Sequence, residues 1–334
     1  MPGQALTQRL GWIDVSKGVG IALVVLGHSG RGLTEANLPD PNSILLALDK
    51  AIYAFHMPLF FLLSGVTFGL RAPNSVYPDT TARIWRLLYS LVIWTYAFLA
   101  MRALAGNTAN TSGAWADLAR FPLPPFAHFW FLWALALSVF FFAVARLMLV
   151  PRVSERVFWM GAFGAALLAH HMTYVIPTNL EAWLVQALRY SVVFAAGGLL
   201  GSSRLVACVP SASVAVLSAV CFVISLWFAV EKGTPLSATL YGLTLSCLFL
   251  TPLMTLASKY ENSLRVVAFL GLISLPIYVM HTMFSAAFRI VLSGFGITDL
   301  TIHLVLGTLI GLIGPAIAFL AFRRFKMLRV VGLA

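Results

Sequence analysis

Asp14, Lys17 and His28 stand in a stretch that is otherwise apolar and rich in small residues. Lys17 and His28 are eleven positions apart. Eleven steps of about 100° return to within about 20° of the start, so a helix here puts both on one face, about 16 Å apart along its axis. Asp14 lies about one turn below Lys17 on nearly the same stripe. One face thus carries a cation at one end and an imidazole at the other. With an unperturbed pKa near ~6.5, an imidazole can take the proton of an attacking hydroxyl, or itself attack an acyl carbon. The plainer reading has Lys17 snorkelling to an interface beside Asp14, and His28 capping a helix end.

Further polar residues interrupt apolar runs. His56 precedes Met57-Pro58, where a proline frees a backbone carbonyl, kinks the helix and opens room beside the imidazole. Ser64-Gly65, two turns on, permits close helix approach. Arg189 is too deep in its run to snorkel, which predicts a polar cavity or an acidic partner around it. Ser274 and His281 are seven apart, on one face of a run that also holds Pro276. His170-His171 and His303 lack such companions and are expected at the membrane interface. No HExxH and no Cys/His pairing at ligand spacing occurs, so no metal is expected. Cys208, Cys221 and Cys247 have mainly apolar neighbours and give no disulfide framework.

The elements that must position these groups follow from composition. The chain has 334 residues, 60% of them apolar and 10% charged, where a soluble domain carries about 25% charged. Mean hydropathy is +0.92. Apolar runs near 12–30, 51–70, 86–104, 127–149, 157–176, 184–202, 212–230, 236–257, 266–288 and 302–322 each approach the ~20 residues that a bilayer core requires. The expectation is an all-α, polytopic integral membrane protein with about ten transmembrane helices. A soluble enzyme is excluded. The first run contains Asp14 and Lys17 and lacks a small-residue cleavage site, so it reads as a spanning helix and not a signal peptide.

The formal charge is +11. The basic residues fall in short groups between runs, without the stripe or arm that would indicate a nucleic-acid partner. Most belong to loops of one face, including Arg71, Arg83, Arg86, Arg146, Arg152, Arg156, Arg323 and Arg324. The positive-inside rule then makes both termini cytoplasmic. The longer loops of the other face are 31–43 and 105–126, the latter with Pro122, Pro124 and Pro125. Neither holds a folded domain, so residues 1–334 read as one integral domain with no appended soluble domain. Absence of targeting extensions and of cysteine pairing fits a bacterial inner-membrane location.

Five blocks, in order, carry a family resemblance. They are Trp12 to Gly18 with Val24 to His28; Phe55-His56-Met57-Pro58-Leu59-Phe60-Phe61-Leu62-Leu63-Ser64-Gly65; Arg83-Ile84-Trp85-Arg86-Leu87-Leu88; His128-Phe129-Trp130-Phe131-Leu132; and Ser274 to His281. Together they resemble the membrane-bound acyltransferase family 3, in particular its small single-domain members of the fucose 4-O-acetylase-like kind. Where the broad family has an arginine separated from its histidine by ten residues, this chain has Lys17, as the smaller subgroup often does. Lysine keeps the charge but lacks a planar two-point grip on phosphate.

The resemblance implies transfer of an acyl group, usually acetyl, from cytoplasmic acyl-CoA to a hydroxyl of a glycan or glycolipid on the outer side. Under that implication Lys17, with Asp14 beside it, and Arg83 and Arg86 are candidates for the CoA phosphates, and His28 is the candidate general base or acyl-carrying nucleophile. His56, Arg189 and His281 are candidates for orienting the acceptor or stabilising an oxyanion. A transporter of a lipid-linked glycan would also have many helices and buried charges, and is the alternative. A transferase releases CoA, whereas a transporter leaves its cargo unmodified.

Overall fold

A computed structural model describes residues 11–38, 40, 43–71, 76–106, 123, 125–176, 181–234 and 237–334, with the side chains of 76–79 and 204–205 outside the description. Most of the 105–126 loop, including Pro122 and Pro124, lies outside the described residues. Among the described residues the regular structure is helical: α1 (Gly11–Glu35), α2 (Ile44–Tyr53), α3 (His56–Gly69), α4 (Val76–Ala105), α5 (Trp130–Leu149), α6 (Glu155–Val175), α7 (Ala182–Gly201), α8 (Ala212–Lys232), α9 (Ala238–Lys259), α10 (Arg265–Leu272), α11 (Ser274–Gly294) and α12 (Leu300–Arg324). Eight helical stretches among them are long and apolar enough to cross a membrane. One of these is α2 and α3 taken together, Ile44–Gly69. α1 and α6 have 25 and 21 residues but are more polar than the eight. The chain is thus a polytopic all-α membrane protein, and every apolar run of the sequence coincides with a helix.

Two runs are broken where the sequence suggests a bend or a continuous helix. In 51–70 the break falls at Ala54-Phe55, and in 266–288 at Ile273. The cause is the same in both. Pro58 and Pro276 are each the third residue of the helix that follows the break, a position where the missing N–H goes unmissed and the preceding carbonyls lose a partner. The 31–43 loop is also shorter than expected, because α1 continues to Glu35.

Helix packing is closest where glycines face each other. α3 and α7 run parallel and meet through Gly65, Gly69, Gly197, Gly198 and Gly201, and a Cβ on Gly65 would collide with the Phe194 carbonyl. In a bilayer such backbone contact replaces the hydrophobic force that water would supply. α1 packs on α10 in the same manner, with Gly18 against the Val267 carbonyl and Gly271 against that of Asp14. Gly65→Ala is therefore expected to destabilise the bundle by about 1–3 kcal/mol, as over-packing does, which a lower unfolding temperature of the detergent-solubilised protein would register.

Arg146, grouped by sequence with the basic residues of one face, has a structural part to play. It is 2% exposed, at the end of α5. Its guanidinium donates to the carbonyls of Phe68 (3.3 Å) and Arg71 (2.6 Å) and to Glu155 Oε1 (2.8 and 3.0 Å). Besides Glu155, its partners are carbonyls at the C-terminal end of α3, where the helical ladder runs out.

Candidate active site

A cavity of about 580 Å³ opens where the C-terminal ends of α1, α4 and α11 meet the α2/α3 junction and the N-terminal ends of α5 and α12. Its wall includes His28, Arg31 and Glu35 from α1, Tyr53 and His56 from the junction, Phe98 and Arg102 from α4, Trp130 from α5 and Tyr190 from α7. Tyr278, Ser285 and Arg289 of α11, His303 of α12 and His128, from the 3₁₀ turn that leads into α5, complete the part used here.

Two imidazoles of the wall, His28 and His128, form a triangle with His281, which is buried behind them and does not itself line the cavity. Ring centroids are 5.1 Å apart for His28 and His281, 5.5 Å for His28 and His128, and 5.4 Å for His128 and His281. A carbonyl can only accept, so its contacts fix each ring's tautomer. The His281 Nδ1–H donates to the carbonyls of Tyr278 (2.8 Å) and Ile277 (3.1 Å), which leaves a lone pair on Nε2. His56 Nδ1–H donates to the Ile52 carbonyl at 2.8 Å, just before the helix break, with the same result. The Nε2 atoms of His281 and His128 are buried without a partner among the described residues. Tyr278 hydroxyl donates to the His128 carbonyl and ties the turn to α11.

Tyr53 joins His28 to His56, its ring 5.9 Å from the first and 4.5 Å from the second. The Arg31 guanidinium stacks 3.2 Å over that ring and pairs with Asp49. The Tyr53 hydroxyl is buried without a partner among the described residues. Trp130 and Tyr190, 5.4 Å apart, add an aromatic surface of the kind that sugar rings and apolar chains both pack on. Arg289 donates to the Gly32 carbonyl in the last turns of α1, so the cation is held at the cavity wall.

Of the residues singled out from sequence, His28, His56 and His281 come together here. Lys17 and Asp14 are at the other end of α1, beside α10. Arg83 and Arg86 lie near the start of α4, where Arg71 is close enough for the charges to interact. Arg189 does not line the cavity, although its neighbour Tyr190 does. Successive helical residues point about 100° apart. Arg189 Nε donates to Thr173 Oγ1 at 3.1 Å, and the guanidinium lies 4.3 Å over the Tyr174 ring. In place of the expected cavity or acidic partner it finds a hydroxyl and an aromatic face, and it braces α6 on α7.

Two histidines were not anticipated at the site. His303, expected at the interface, is 2% exposed and lines the cavity, its Nε2–H donating to the Ile297 carbonyl at 2.8 Å. His128 gave a signal only as the first residue of the His128 to Leu132 block. His170 is likewise buried, between the Arg189 carbonyl (3.1 Å) and Ser237 Oγ (2.7 Å), and joins α6, α7 and the start of α9. Among the described residues no three His, Cys, Asp or Glu side chains are arranged to hold a metal ion.

A family model described as an acyltransferase domain matches residues 10–320, which include every residue of the cavity wall. Nodulation protein NolL of Sinorhizobium fredii (strain NBRC 101917 / NGR234) is 31% identical over 188 residues, 56% of this chain and 47% of NolL. The aligned part thus spans about half the length of that relative. No solved structure matches.

Proposed function

We propose, because the chain belongs to the membrane-bound acyltransferase family 3, that it moves an acyl group, acetyl in this reading, from acyl-CoA to a hydroxyl of a cell-surface glycan or glycolipid. In the proposed topology both termini are cytoplasmic, the membrane is a bacterial inner membrane, and the cavity opens to the outer side. The observation that carries the reading is the cluster of His28, His128 and His56 on one cavity wall with His281 behind it, where His28 belongs to the helix whose other end holds Lys17.

The reaction then runs as follows. His28 takes the proton of the acceptor hydroxyl as its oxygen attacks the thioester carbonyl. The new C–O bond forms, the C–S bond breaks, and the CoA thiolate recovers the proton from the His28 imidazolium. His281, with its Nδ1–H committed to the Tyr278 and Ile277 carbonyls, presents an accepting Nε2. It is suited to hold the second N–H of His28 and steady the imidazolium, and is less suited to donate to an oxyanion. His56 has the same tautomer and serves to receive and orient the acceptor hydroxyl. The Tyr53 hydroxyl, buried and unpartnered among the described residues, is the donor we assign to the oxyanion. Lys17, with Asp14 beside it, and Arg83 and Arg86 receive the CoA phosphates at the opposite end. Arg189 is left out of the chemistry on account of its contacts with Thr173 and Tyr174.

The test is free CoA. Purified protein in lipid, supplied with acetyl-CoA and a surface-glycan fraction, is expected to release CoA in step with acetylation of the glycan. Glycan that crosses the membrane unmodified, with no CoA released, would favour transport.

A further inference from the structure

Beyond α12 the chain turns back onto the bundle, through left-handed backbone at Lys326 (φ 58°) and Gly332 (φ 73°). It settles along α4. The Tyr89 hydroxyl donates to the Val330 carbonyl at 3.0 Å, the Trp94 indole N–H to the Val331 carbonyl at 3.0 Å, and the Ser90 hydroxyl to the Gly332 carbonyl. Leu333 is 6% exposed and belongs to the same apolar core as Leu87, Leu91 and Trp94. Three side chains of α4 thus read three consecutive amide carbonyls.

The position of this strip gives it meaning. Ser90, Trp94, Phe98 and Arg102 recur every fourth residue and share one face of α4. Phe98 and Arg102 line the cavity that holds the imidazoles. Arg83 and Arg86 stand near the other end of the helix. The strip therefore lies between the basic end and the cavity, with Ser90 about 12 Å below Phe98 along the axis.

We propose that Tyr89, Ser90 and Trp94 form the binding site for the amide-bearing arm of an acyl-thioester donor, and that residues 330–332 of the chain compete for it. The inference rests on the reading of acyl-CoA as donor. The arm of such a donor is a narrow chain with two secondary amides between its phosphates and its thioester, branched only at a dimethyl carbon and a hydroxyl near the phosphates, and peptide backbone offers the same carbonyl acceptors. The Tyr89 hydroxyl reaches solvent, but Ser90 is buried and Trp94 nearly so, and a hydroxyl or indole N–H buried without an acceptor is costly, so these two are satisfied either by the chain or by the arm. The exchange closes the path below the cavity until a donor takes it.

Gly332 supplies the test. Its φ is left-handed, and a Cβ there would lie 3.0 Å from Tyr89 Cδ1 and 3.2 Å from Ser90 N, so Gly332→Val detaches the segment without altering the strip. The variant is expected to lower the KM for acetyl-CoA by about three- to tenfold, because competition for the competent state is removed, with the acceptor KM unchanged. In that background Ser90→Ala with Trp94→Phe is expected to raise the donor KM again. A second readout needs no turnover. With Cys208, Cys221 and Cys247 replaced by serine, Leu333→Cys is expected to react faster with a thiol reagent when CoA is added. Wild-type donor KM in Gly332→Val, together with Leu333→Cys labelling indifferent to CoA, would overturn the proposal while transfer by the wild type kept the functional reading. No transfer by the wild type, with labelling that responds to CoA, would overturn the transferase reading and leave the strip as a CoA site.

Discussion

His28→Ala is expected to lower acyl transfer by about 10²–10⁴-fold, the range that a positioned general base contributes. Both kcat and kcat/KM for the acceptor should fall together, with the KM for acetyl-CoA near that of the wild type, because the proton is taken only in the transition state. The change is mild for the fold. His28 lies in the body of α1, its ring meets other rings around the cavity, and alanine is the strongest helix former. An unchanged elution profile with lost turnover separates catalysis from assembly. His281→Ala should show a smaller loss, since it acts through His28, and the pH profile should change along with the rate. Turnover of His28→Ala near the wild-type rate would remove His28 from the mechanism.

Arg146→Ala carries the largest expected cost in stability, about 3–5 kcal/mol, the range for removing one partner of a buried, hydrogen-bonded ion pair. At 2% exposure the guanidinium is shut off from solvent, and its removal takes the ion-pair partner from the half-buried Glu155 and a donor from the carbonyls of Phe68 and Arg71. α3, α5 and α6 are joined at this one side chain, and α3 is the helix that starts at His56. Reduced yield of folded protein and a lower unfolding temperature are expected, measured in detergent by heating and size exclusion. Arg146→Lys should recover part of this at most, because an ammonium cannot fork to three acceptors in fixed directions. Stability equal to the wild type in Arg146→Ala would show that the contacts are dispensable.

What the sequence conveyed about the fold follows from bilayer physics. A hydrocarbon layer fixes run length, and each run of about twenty apolar residues is helical here, two of them as a pair of helices joined at a break. The α1 stripe was legible because Lys17 and His28 belong to one helix, where spacing is geometry. His56 and His281 were legible as polar residues in runs that hold prolines, although not as two rings whose Nδ1–H groups are committed to carbonyls three or four residues earlier in the chain. His128 was legible only as the first residue of a motif block and His303 only as an interfacial residue, because packing, not spacing, brings them to the cavity. Their nearest sequence companions sit on other elements. Arg146 and Arg189 show what position in a run does not convey, namely the partners: the Phe68 and Arg71 carbonyls with Glu155 for the first, and the Thr173 hydroxyl, not the expected polar cavity or acidic group, for the second. The return of residues 325–333 onto α4 has no periodic pattern to betray it, since its contacts are made by main-chain carbonyls.

The central claim is transfer of an acyl group from one side of the membrane to a glycan hydroxyl on the other, with His28 as base. Its most direct test uses sealed vesicles of known orientation, with acyl-labelled acetyl-CoA supplied only on the side of Arg83 and Arg86. The account predicts label in the glycan on the opposite side with the wild type, and none above background with His28→Ala. Label that stays in acetyl-CoA while glycan is present, or that reaches glycan equally well with His28→Ala, would contradict it.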